Sequence, residues 1–355
     1  MAKPAIADLY IGQTLKGRFL IRDYLNRGNF SLVFSAYDSH SNREVAVKVL
    51  QPNANANDRI EFDTECELLS MASNAAHVVD HLCDGDDTVA VQVPASGAIV
   101  PLPTRFLVLE RAESSLAEIL AVRNKVSWVD RLSLYRGAVK GVHQLHLLNI
   151  AHRDTKADNI LIVDQGGLVT AKVADLGRSR HLSRPQRFPE DSYRAGRGDF
   201  RFAPPEFLFH LGRDGKTTWQ YADLYFLGSL LFEIATGQGL TTASLGDVRG
   251  ILAATGGMTA EARLAEFAAR RNDIQTRFES SYLQFRNELP PQIVVEGERL
   301  LRQLTSTDPT KRAPRRRGRK VLSPFDLQWV MRRIDIMTLA LTIGTRSPSP
   351  RKKAS

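Results

Sequence analysis

Residues 152–164, HRDTKADNILIVD, bring acids, bases and an amide together directly before an apolar, strand-like run. Asp154 can accept a proton, Lys156 can stabilise a phosphoryl group during transfer, and Asn159 can hold a metal ion. A solvated charged turn is the structural alternative, but few structural needs explain this density of polar groups in this order. The segment therefore indicates phosphoryl-transfer chemistry.

A second candidate metal ligand, Asp175, follows sixteen residues after Asn159. It stands in VADLGRS at the end of an apolar run, and Gly177 permits a sharp backbone turn that would aim the carboxylate inward. On its own, Asp-Leu-Gly is more often an ordinary loop than a metal site. At this spacing from Asn159, the carboxylate and the amide together predict a metal site.

The elements that must position these loops change in character along the chain. Residues 11–50 alternate short β-branched and aromatic runs with the turn-forming segments NRGN and SHSNRE, which predicts a small antiparallel sheet. Residues 58–71 have helical spacing, with Asp58 as the expected N-cap. Further on, TVAVQV and RFLVLE predict paired strands with a surface loop between them.

Beyond Ser114 the apolar residues recur at helical intervals. A sheet followed by helices predicts a two-lobed α+β fold, with a small antiparallel sheet in the first lobe and mainly helices in the second. Helices are also expected at 256–289, 293–305 and 326–341, and we expect the last of these to pack on the helical lobe rather than bind a membrane. The final residues, 346–355, have the composition of a disordered tail.

The composition is that of an ordinary globular chain, with 355 residues of which 43% are apolar and 25% are charged. No apolar run reaches the ~18 residues of a membrane-spanning helix, and the first residues lack the apolar core of a secretory signal. The two cysteines, Cys66 and Cys83, cannot form a disulfide framework, which fits a reducing compartment. We therefore expect a cytoplasmic protein without a membrane span.

The net charge of +9 is concentrated near the C-terminal end, where residues 311–355 carry thirteen Lys and Arg against Asp326 and Asp335. Clustered arginine, as in RAPRRRGRK at 312–320, could neutralise the phosphates of a nucleic acid. No aromatic residues interleave with the run, and no recognisable nucleic-acid module surrounds it. Solvated charge is the simpler interpretation, so a nucleic acid partner is not expected.

Residues 152–164 and the loop that contains Asp175, together with further motifs, resemble segments of the eukaryotic-type protein kinases. The resemblance covers about residues 10–312. VAVK, which ends at Lys48, matches the strand-three lysine motif of that family, and the resemblance implies that this lysine contacts the α- and β-phosphates of ATP. It also implies that Glu65, on the following helix, pairs with Lys48. Glu61 lies one helical turn away on the same face and competes for this role, whereas Glu67 faces elsewhere.

The glycine-rich loop of the family aligns with LNRGNFSLV, in which only Gly28 of three glycines is present. Asn26 and Ser31 take the outer positions, and the turn remains possible because Asn tolerates positive φ and Ser is small. RFLVLERAE resembles the strand and hinge that join the lobes, with Leu109 at the gatekeeper position. The nucleotide-binding residues that the resemblance implies are Leu25, Asn26, Gly28, Val33, Ala46, Lys48, Glu110, Ala112 and Leu161, of which Val33, Ala46 and Leu161 would sandwich the base.

The resemblance implies direct transfer of the γ-phosphoryl group of ATP to a hydroxyl group. Asp154 would orient and deprotonate the hydroxyl, and Lys48 and Lys156 would stabilise negative charge. Asn159 and Asp175 would hold Mg²⁺. Lys156 stands in place of the Ala-Ala-Arg stretch typical of tyrosine kinases, which favours serine or threonine as the acceptor.

GRGDFRFAPPEF resembles the end of an activation segment, which we define here as residues 178–206. The resemblance implies that Glu206 pairs with Arg312, and that Asp223 lies on a helix that anchors the catalytic loop, residues 152–159. Kinases of small molecules with a related fold lack this segment. The resemblance therefore favours a protein substrate.

Asp199 departs from the family pattern, because serine/threonine kinases usually carry a threonine here that bonds the catalytic base. A second carboxylate near Asp154 would raise the pKa of one of the pair unless Lys156 lies between them. Alternatively, Asp199 points outward. Serine/threonine specificity and dual specificity therefore both stay open.

The activation segment also departs from the pattern, since it carries seven arginines and no threonine. Arg153, beside the expected base, is the kind of residue that binds an activating phosphate, and we expect phosphorylation of Ser183 or Ser192 to order the segment. The permanent charge of Glu190 or Asp191 could substitute for that phosphate. A solvated loop with incidental serines is the remaining alternative.

The predicted organisation is an N-terminal extension at 1–9, a kinase domain at 10–312 whose lobes divide after residue 110, and a basic segment with a helix at 313–345 before the tail. A nucleotide-binding scaffold without turnover is the alternative function, motivated by the missing loop glycines and by Asp199. A degraded enzyme should lose its catalytic groups first, and these are all present: Lys48, Asp154, Asn159 and Asp175. An active kinase that uses ATP and Mg²⁺ on a protein substrate is favoured, and the motifs specify neither that substrate nor an oligomeric state.

Overall fold

The computed structural model describes residues 4–92, 97–213, 215–314 and 325–344. A six-stranded antiparallel sheet forms the first lobe, and helices form most of the second, so the two-lobed α+β prediction is confirmed. The strands lie in the order β1-β2-β3-β4-β6-β5. Their bounds are β1 (Thr14–Leu15), β2 (Phe19–Arg27), β3 (Ser31–Asp38), β4 (Arg43–Leu50), β5 (His81–Gln92) and β6 (Ile99–Glu110).

Strands β5 and β6 form one long hairpin whose pairing continues to Gln92 opposite Ile99. The surface loop predicted between TVAVQV and RFLVLE is therefore wrong for most of its length. Pro101 and Pro103 suggested a loop, but β4 pairs with β6 only as far as Phe106. One edge of β6 is open beyond that residue, and a strand edge tolerates proline because no ladder hydrogen bond is lost there.

Helix α1 (Ala56–Met71) follows β4 as predicted, although its cap differs from the expected one. The side chain of Asn55 accepts the backbone N–H of Asp58, and the Asp58 carboxylate accepts the N–H of Asn55 in return. Asp58 is therefore the reciprocal partner in a capping box rather than the N-cap. Phe62 and Leu69 on the inner face of α1 are fully buried, which joins the helix to the core shared by both lobes.

The second lobe is organised around α6 (Lys216–Thr236), in which every residue from Trp219 to Thr236 except Tyr221 is buried. Helix α3 packs beside it, and the predicted helices at 256–289 and 293–305 correspond to α9 and α10. The helices are α2 (Leu116–Ala121), α3 (Trp128–Leu147), α4 (Asp191–Arg194), α5 (Pro205–Leu208), α6 (Lys216–Thr236), α7 (Leu240–Leu245), α8 (Val248–Gly256), α9 (Ala260–Glu288), α10 (Val294–Leu304) and α11 (Gln328–Gly344).

Short strands frame the catalytic loop on both sides. Strand β8, which precedes the loop, pairs with β11, which follows it. Strand β9, directly after the loop, pairs with both β7 and β10. The bounds of these strands are β7 (Ser114–Ser115), β8 (Ile150–Ala151), β9 (Ile160–Gln165), β10 (Leu168–Val173) and β11 (Arg180–His181). The loop is thus tied to fixed backbone at each end.

Helix α11 packs on the helical lobe, as predicted. Leu327, Val330 and Ile334 are fully buried, and Arg136 of α3 places its Nε 2.6 Å from Oδ1 of Asp335. Across the described ranges, none of the helices combines the length with the apolar character that crossing a bilayer requires.

Several sequence predictions concern residues outside the described ranges. These are most of the basic run, from residue 315 onward, the disordered tail at 346–355, and the tip of the β5–β6 hairpin. Within the predicted N-terminal extension, a 3₁₀ helix spans Ala5–Leu9 and buries Ala7 against the sheet of the first lobe.

Candidate active site

Lys48 on β4 contacts two carboxylates from distant parts of the chain. Its Nζ lies 2.6 Å from Oε2 of Glu65 on α1 and 3.2 Å from Oδ1 of Asp175. Of the three glutamates considered for this pairing, Glu65 is the one that contacts the lysine. Burial lowers the pKa of Lys48, but Asp175 and Glu65 outweigh burial and raise the pKa above its usual value, so the lysine stays charged.

Asp223, a fully buried carboxylate on α6, holds the catalytic loop by its backbone. Its Oδ1 accepts the N–H of Arg153 at 2.7 Å, and its Oδ2 accepts the N–H of His152 at 2.9 Å. The Nε2 atom of His146 lies 2.8 Å from the same Oδ2. Arg153 has a left-handed φ of 70°, a conformation that these hydrogen bonds help to hold. The anchoring role predicted for Asp223 is confirmed.

Asp154 is almost completely buried, and each of its carboxylate oxygens faces a different group. Oδ1 accepts the backbone N–H of Asp199 at 2.6 Å, whereas Oδ2 lies 3.5 Å from Nη1 of Arg178. Burial raises the pKa of Asp154, although Lys156 and Arg178 lower it. A carboxyl group with a raised pKa accepts a proton more readily, as a general base requires.

The carboxylate of Asp199 is paired with cations and does not place a second unpaired negative charge beside Asp154. Its Oδ2 lies 3.1 Å from Nζ of Lys156 and 2.6 Å from Nη2 of Arg201. Burial alone would raise the pKa of Asp199, but Arg201 and Lys156 hold it below its usual value. Only the backbone N–H of Asp199 hydrogen-bonds to Asp154, so the side chain departs from the family pattern while the backbone still orients the base.

The two candidate metal ligands present oxygen atoms from adjoining segments. The Nδ2 atom of Asn159 donates to the carbonyl oxygen of Asp154 at 2.7 Å, which leaves Oδ1 of the amide for another partner. The N–H of Ala174 donates to the carbonyl oxygen of Asn159 at 2.9 Å and brings Asp175 alongside. Asp175, with φ of 60°, gives one carboxylate oxygen to Lys48 and keeps 48% of its side chain exposed. An amide and a carboxylate oxygen are ligands that suit Mg²⁺.

The residues predicted to contact the nucleotide line the sheet and the junction between the lobes. In the β2–β3 hairpin, Asn26 pairs with Val33 and the N–H of Gly28 donates to Ser31 at 2.9 Å. The half-buried residues of the set are Gly28, Val33, Ala46, Ala112 and Leu161, whereas Leu25 and Asn26 are exposed.

The nucleotide contact predicted for Glu110 is restricted to its backbone by the contacts of its side chain. Its Oε1 lies 2.5 Å from Nζ of Lys172 and accepts the N–H of Asp80 at 2.7 Å. Because the buried carboxylate is already occupied, only the backbone of Glu110 is available to a nucleotide.

The arginines of the activation segment contact acidic residues of α1. Arg184 and Arg187 both pair with Glu67, and Arg197 pairs with Glu61. Sequence reasoning favoured Glu65 at the lysine, kept Glu61 as a competitor, and gave neither Glu61 nor Glu67 another role. An acidic helix opposite an arginine-rich segment was the signal that could have revealed these contacts.

The predicted phosphate ligand, Arg153, lies among aromatic rings. The Cζ atom of its guanidinium is 4.2 Å from the ring centroid of Trp219 and 5.2 Å from that of Tyr193. Asp191, proposed as a permanent substitute for phosphate, instead pairs with Arg194 at 2.8 Å. Neither residue is therefore seen in the phosphate-related role that the sequence suggested.

Gly198 is another residue that sequence reasoning missed. A Cβ atom at this position would collide with the carbonyl oxygen of Arg153 and lie 3.1 Å from Oδ1 of Asp154. The glycine therefore lets the activation segment approach the base closely. Its position directly before Asp199 in the motif was the available signal.

The end of the activation segment is fixed by an ion pair that the sequence predicted. Nη1 and Nη2 of Arg312 lie 2.7 Å and 2.8 Å from the two carboxylate oxygens of Glu206. Arg312 is fully buried, and such a two-pronged contact fixes direction as well as distance. The prediction of this pair is confirmed.

Comparison with known proteins agrees with this geometry, because the family model described as "Protein kinase domain" matches residues 20–317. The chain belongs to the protein kinase family. Kinase relatives resemble it at moderate identity. "Probable serine/threonine-protein kinase PknB" of Bifidobacterium longum is 29% identical over 226 residues, which cover 62% of this chain and 30% of the relative.

Two further relatives extend the comparison of this kinase to other organisms. Serine/threonine-protein kinase PrkC of Bacillus subtilis is 28% identical over 65% of this chain and 32% of its own length. Serine/threonine-protein kinase TAO3 of Mus musculus is 26% identical over 65% of this chain and 23% of its own length. The matched region thus spans about a third or less of the length of these three relatives.

Proposed function

We propose that this kinase is active and transfers the γ-phosphoryl group of ATP to serine or threonine of a protein, with Asp154 as the base. The observation that carries the proposal is the contact of Lys48 with both Glu65 and Asp175. These residues come from a strand, a helix and a loop up to 127 positions apart. A buried cation held between two acids has no evident packing value, but it is suited to orienting phosphates.

The residues around Asp154 support its role in moving a proton. Because Oδ1 is taken by the N–H of Asp199, Oδ2 is the atom that would accept the proton of the substrate hydroxyl. The hydroxyl oxygen then bonds to the γ-phosphorus as the bond to the departing ADP breaks. Lys156 stands two residues from the base and would balance charge on the transferred group.

Mg²⁺ held by Asn159 and Asp175 would neutralise charge on the phosphates. The contribution of the chain itself is to orient these ligands, since Asn159 is fixed by its hydrogen bond to the Asp154 carbonyl and Asp175 by its contact with Lys48. The nucleotide base would lie between Val33, Ala46 and Leu161, beneath the turn that contains Gly28. Lys156 favours serine or threonine over tyrosine as the acceptor.

Phosphate incorporation by the wild type and by Asp154→Ala tests this proposal directly. We expect the wild type to label a protein substrate, or itself, in the presence of Mg²⁺ and ATP, and we expect the variant to fall by about 10³-fold or more. Equal background labelling in both proteins would instead favour a nucleotide-binding scaffold, the alternative suggested by the glycine-poor loop.

A kinase of small molecules is a less favoured alternative. The buried Glu206–Arg312 pair and the segment that it fixes are features of protein kinases. Label recovered in acid-stable protein would support the protein kinase, whereas label in a metabolite would contradict it.

Control by phosphorylation of Ser183 or Ser192 stays a prediction. Mass spectrometry of active protein should find phosphate within residues 178–203 if the segment is controlled in this way. Active protein without phosphate there would reject it, and would fit the contacts that the unmodified arginines already make with α1.

A further inference from the structure

A cavity of about 590 Å³ opens beside the catalytic loop, between the activation segment and the start of α8. Residues 198–201 and 246–249 form much of its wall, together with Lys156 and Arg178. Gly198 brings this wall close to Asp154, because a Cβ atom there would lie 3.1 Å from Oδ1. A protein substrate that offers its hydroxyl to Asp154 must therefore place neighbouring residues here.

Of the two carboxylates in this wall, Asp199 is neutralised by cations of the protein, whereas Asp247 is exposed and serves as a helix cap. Asp199 is contacted by Lys156 and by Arg201, with the closer contact at 2.6 Å. The carboxylate of Asp247 caps α8 and accepts the N–H of Gly250 at 2.8 Å. Asp199 is therefore not left to attract a basic side chain of a substrate, and one carboxylate oxygen of Asp247 is engaged by the backbone of α8.

The cations of the wall exceed its acids. Lys156, Arg178, Arg201 and Arg249 line the cavity with only Asp199 and Asp247 as lining acids, although the nearby Asp158 also faces Lys156 and Arg201. Arg249, in the first turn of α8, is exposed, and within the described ranges the structure assigns it no ion pair. Its charge, unlike that of Lys156 and Arg201, is thus not balanced by a contact within the wall.

We propose that this cavity selects acidic substrates, in which aspartate or glutamate flanks the serine or threonine, and that Arg249 is a specificity-determining residue. The inference rests on the proposed kinase activity and adds a substrate class to it. A carboxylate of the bound peptide would meet the uncompensated charge of Arg249, whereas a lysine or arginine at the same place would be repelled. Each exposed contact of this kind is worth a modest factor, and several along a peptide multiply.

The test uses three peptides with one phosphoacceptor serine and flanking positions filled by Glu, Ala or Lys. For the wild type we expect kcat/KM to fall in the order Glu, Ala, Lys, with about a 3- to 30-fold advantage of Glu over Ala at low salt. The advantage should shrink in about 0.5 M NaCl, because salt screens exposed charges.

Variants then assign the preference to the cavity. Arg249→Glu should reduce the Glu-to-Ala ratio several-fold, and Arg249→Lys should restore most of it. Arg271→Glu is the matched control, since Arg271 is also an exposed helical arginine to which the structure assigns no ion pair within the described ranges, and it lies outside the cavity wall. The control should keep the wild-type ratio.

The outcomes distinguish failure of this inference from failure of the proposed kinase activity on which it rests. Asp154-dependent activity that prefers the Lys peptide, or that ignores flanking charge, overturns the acidic preference and leaves the kinase intact. An Arg249→Glu variant with the same ratio as Arg271→Glu also overturns it. Absence of any phosphate transfer by the wild type, to the peptides or to itself, overturns the proposed function, and the inference falls with it.

Discussion

The catalytic loop and the activation segment lie against each other, yet different forces hold them. The loop is fixed by buried hydrogen bonds, chiefly from its backbone N–H groups to Asp223 and to Glu233, whose Oε2 accepts the N–H of Ala157 at 2.9 Å. The segment is held to α1 by ion pairs whose partners are partly exposed, such as Arg187 with Glu67. The catalytic loop is thus anchored inside the protein and residues 184–187 of the segment at its surface, whereas the end of the segment is fixed by the buried Glu206–Arg312 pair.

This difference has energetic consequences. Removing an acceptor from buried N–H groups costs their full desolvation penalty, because water cannot replace it. A partly exposed ion pair contributes only about 0.2–1 kcal/mol and weakens as salt is added. The catalytic loop should therefore keep its geometry under most conditions, whereas the position of the activation segment should respond to salt and to added charge.

Asp223→Ala is expected to have the largest effect, because it removes the acceptor shared by His152, Arg153 and the buried His146. Each buried group that loses its hydrogen-bond acceptor costs about 1–3 kcal/mol, so we expect a loss of about 3–5 kcal/mol in the free energy of unfolding. Urea denaturation measures this loss. Asp223→Asn, which keeps one acceptor oxygen, should be intermediate, and an alanine variant within about 1 kcal/mol of the wild type would contradict the buried anchor.

Glu233 offers a test of the same anchor through pH. Burial raises the pKa of its carboxyl group to about 7, from 4.5 for an exposed glutamate. Between these values the folded protein holds a proton that the unfolded chain does not, so the charged carboxylate penalises folding above pH 7. The free energy of unfolding should gain a favourable contribution from this group as the pH falls from 7 toward 4.5.

Glu233→Gln should remove this contribution while it keeps an acceptor for the N–H of Ala157. We expect the variant to be more stable than the wild type by about 1–3 kcal/mol at pH 8, with the difference lost toward pH 5. Urea denaturation at both pH values provides the comparison. Parallel pH profiles of the two proteins would mean that Glu233 titrates like an exposed acid.

Sequence reasoning reached furthest where local spacing carries the signal. The order of Asp154, Lys156 and Asn159 within one loop predicted phosphoryl-transfer chemistry, and the spacing to Asp175 predicted a second metal ligand. The choice of Glu65 agrees with the observed contact to Lys48. Helical spacing separates Glu65 from Glu67, which faces elsewhere, but not from Glu61 on the same face. The two-lobed fold was predictable from the change of periodicity after the sheet.

Contacts between segments far apart in sequence were the ones that spacing could not predict. Glu67 meets Arg187 across 120 positions, and nothing local to either residue identifies the partner. Asp199 could be placed near the base but not oriented, since its direction depends on contacts with Lys156 and Arg201. The prolines in β6 wrongly indicated a loop. A strand tolerates proline where no neighbouring strand pairs with that edge, which local sequence does not reveal.

Glu67→Gln tests the surface attachment of the activation segment and should have a moderate effect. It removes the carboxylate shared by Arg184 and Arg187, which frees that part of the segment from α1. We expect phosphate transfer to fall about 3- to 10-fold, with less than about 1 kcal/mol change in stability. Glu261→Gln, an exposed glutamate in the first turn of α9, is the control and should have no effect.

Salt provides the second measurement on the same pair. Wild-type activity should decline toward that of Glu67→Gln in about 0.5 M NaCl, whereas the variant should change little. An identical salt response in both proteins would show that the ion pairs with Glu67 do not hold the segment.

Arg187→Lys is expected to give the smallest effect, and it asks whether charge or hydrogen-bond geometry matters at this surface. The guanidinium of Arg187 donates to Oγ1 of Thr64 at 2.9 Å while it also pairs with Glu67. Lysine keeps the charge but cannot bridge two acceptors in a fixed plane. Because the site is partly exposed, the loss should be about 0.5 kcal/mol or less, seen as a decrease in phosphate transfer of about twofold. A decrease as large as that of Glu67→Gln would mean that the hydrogen bond to Thr64, rather than the charge of residue 187, holds the segment to α1.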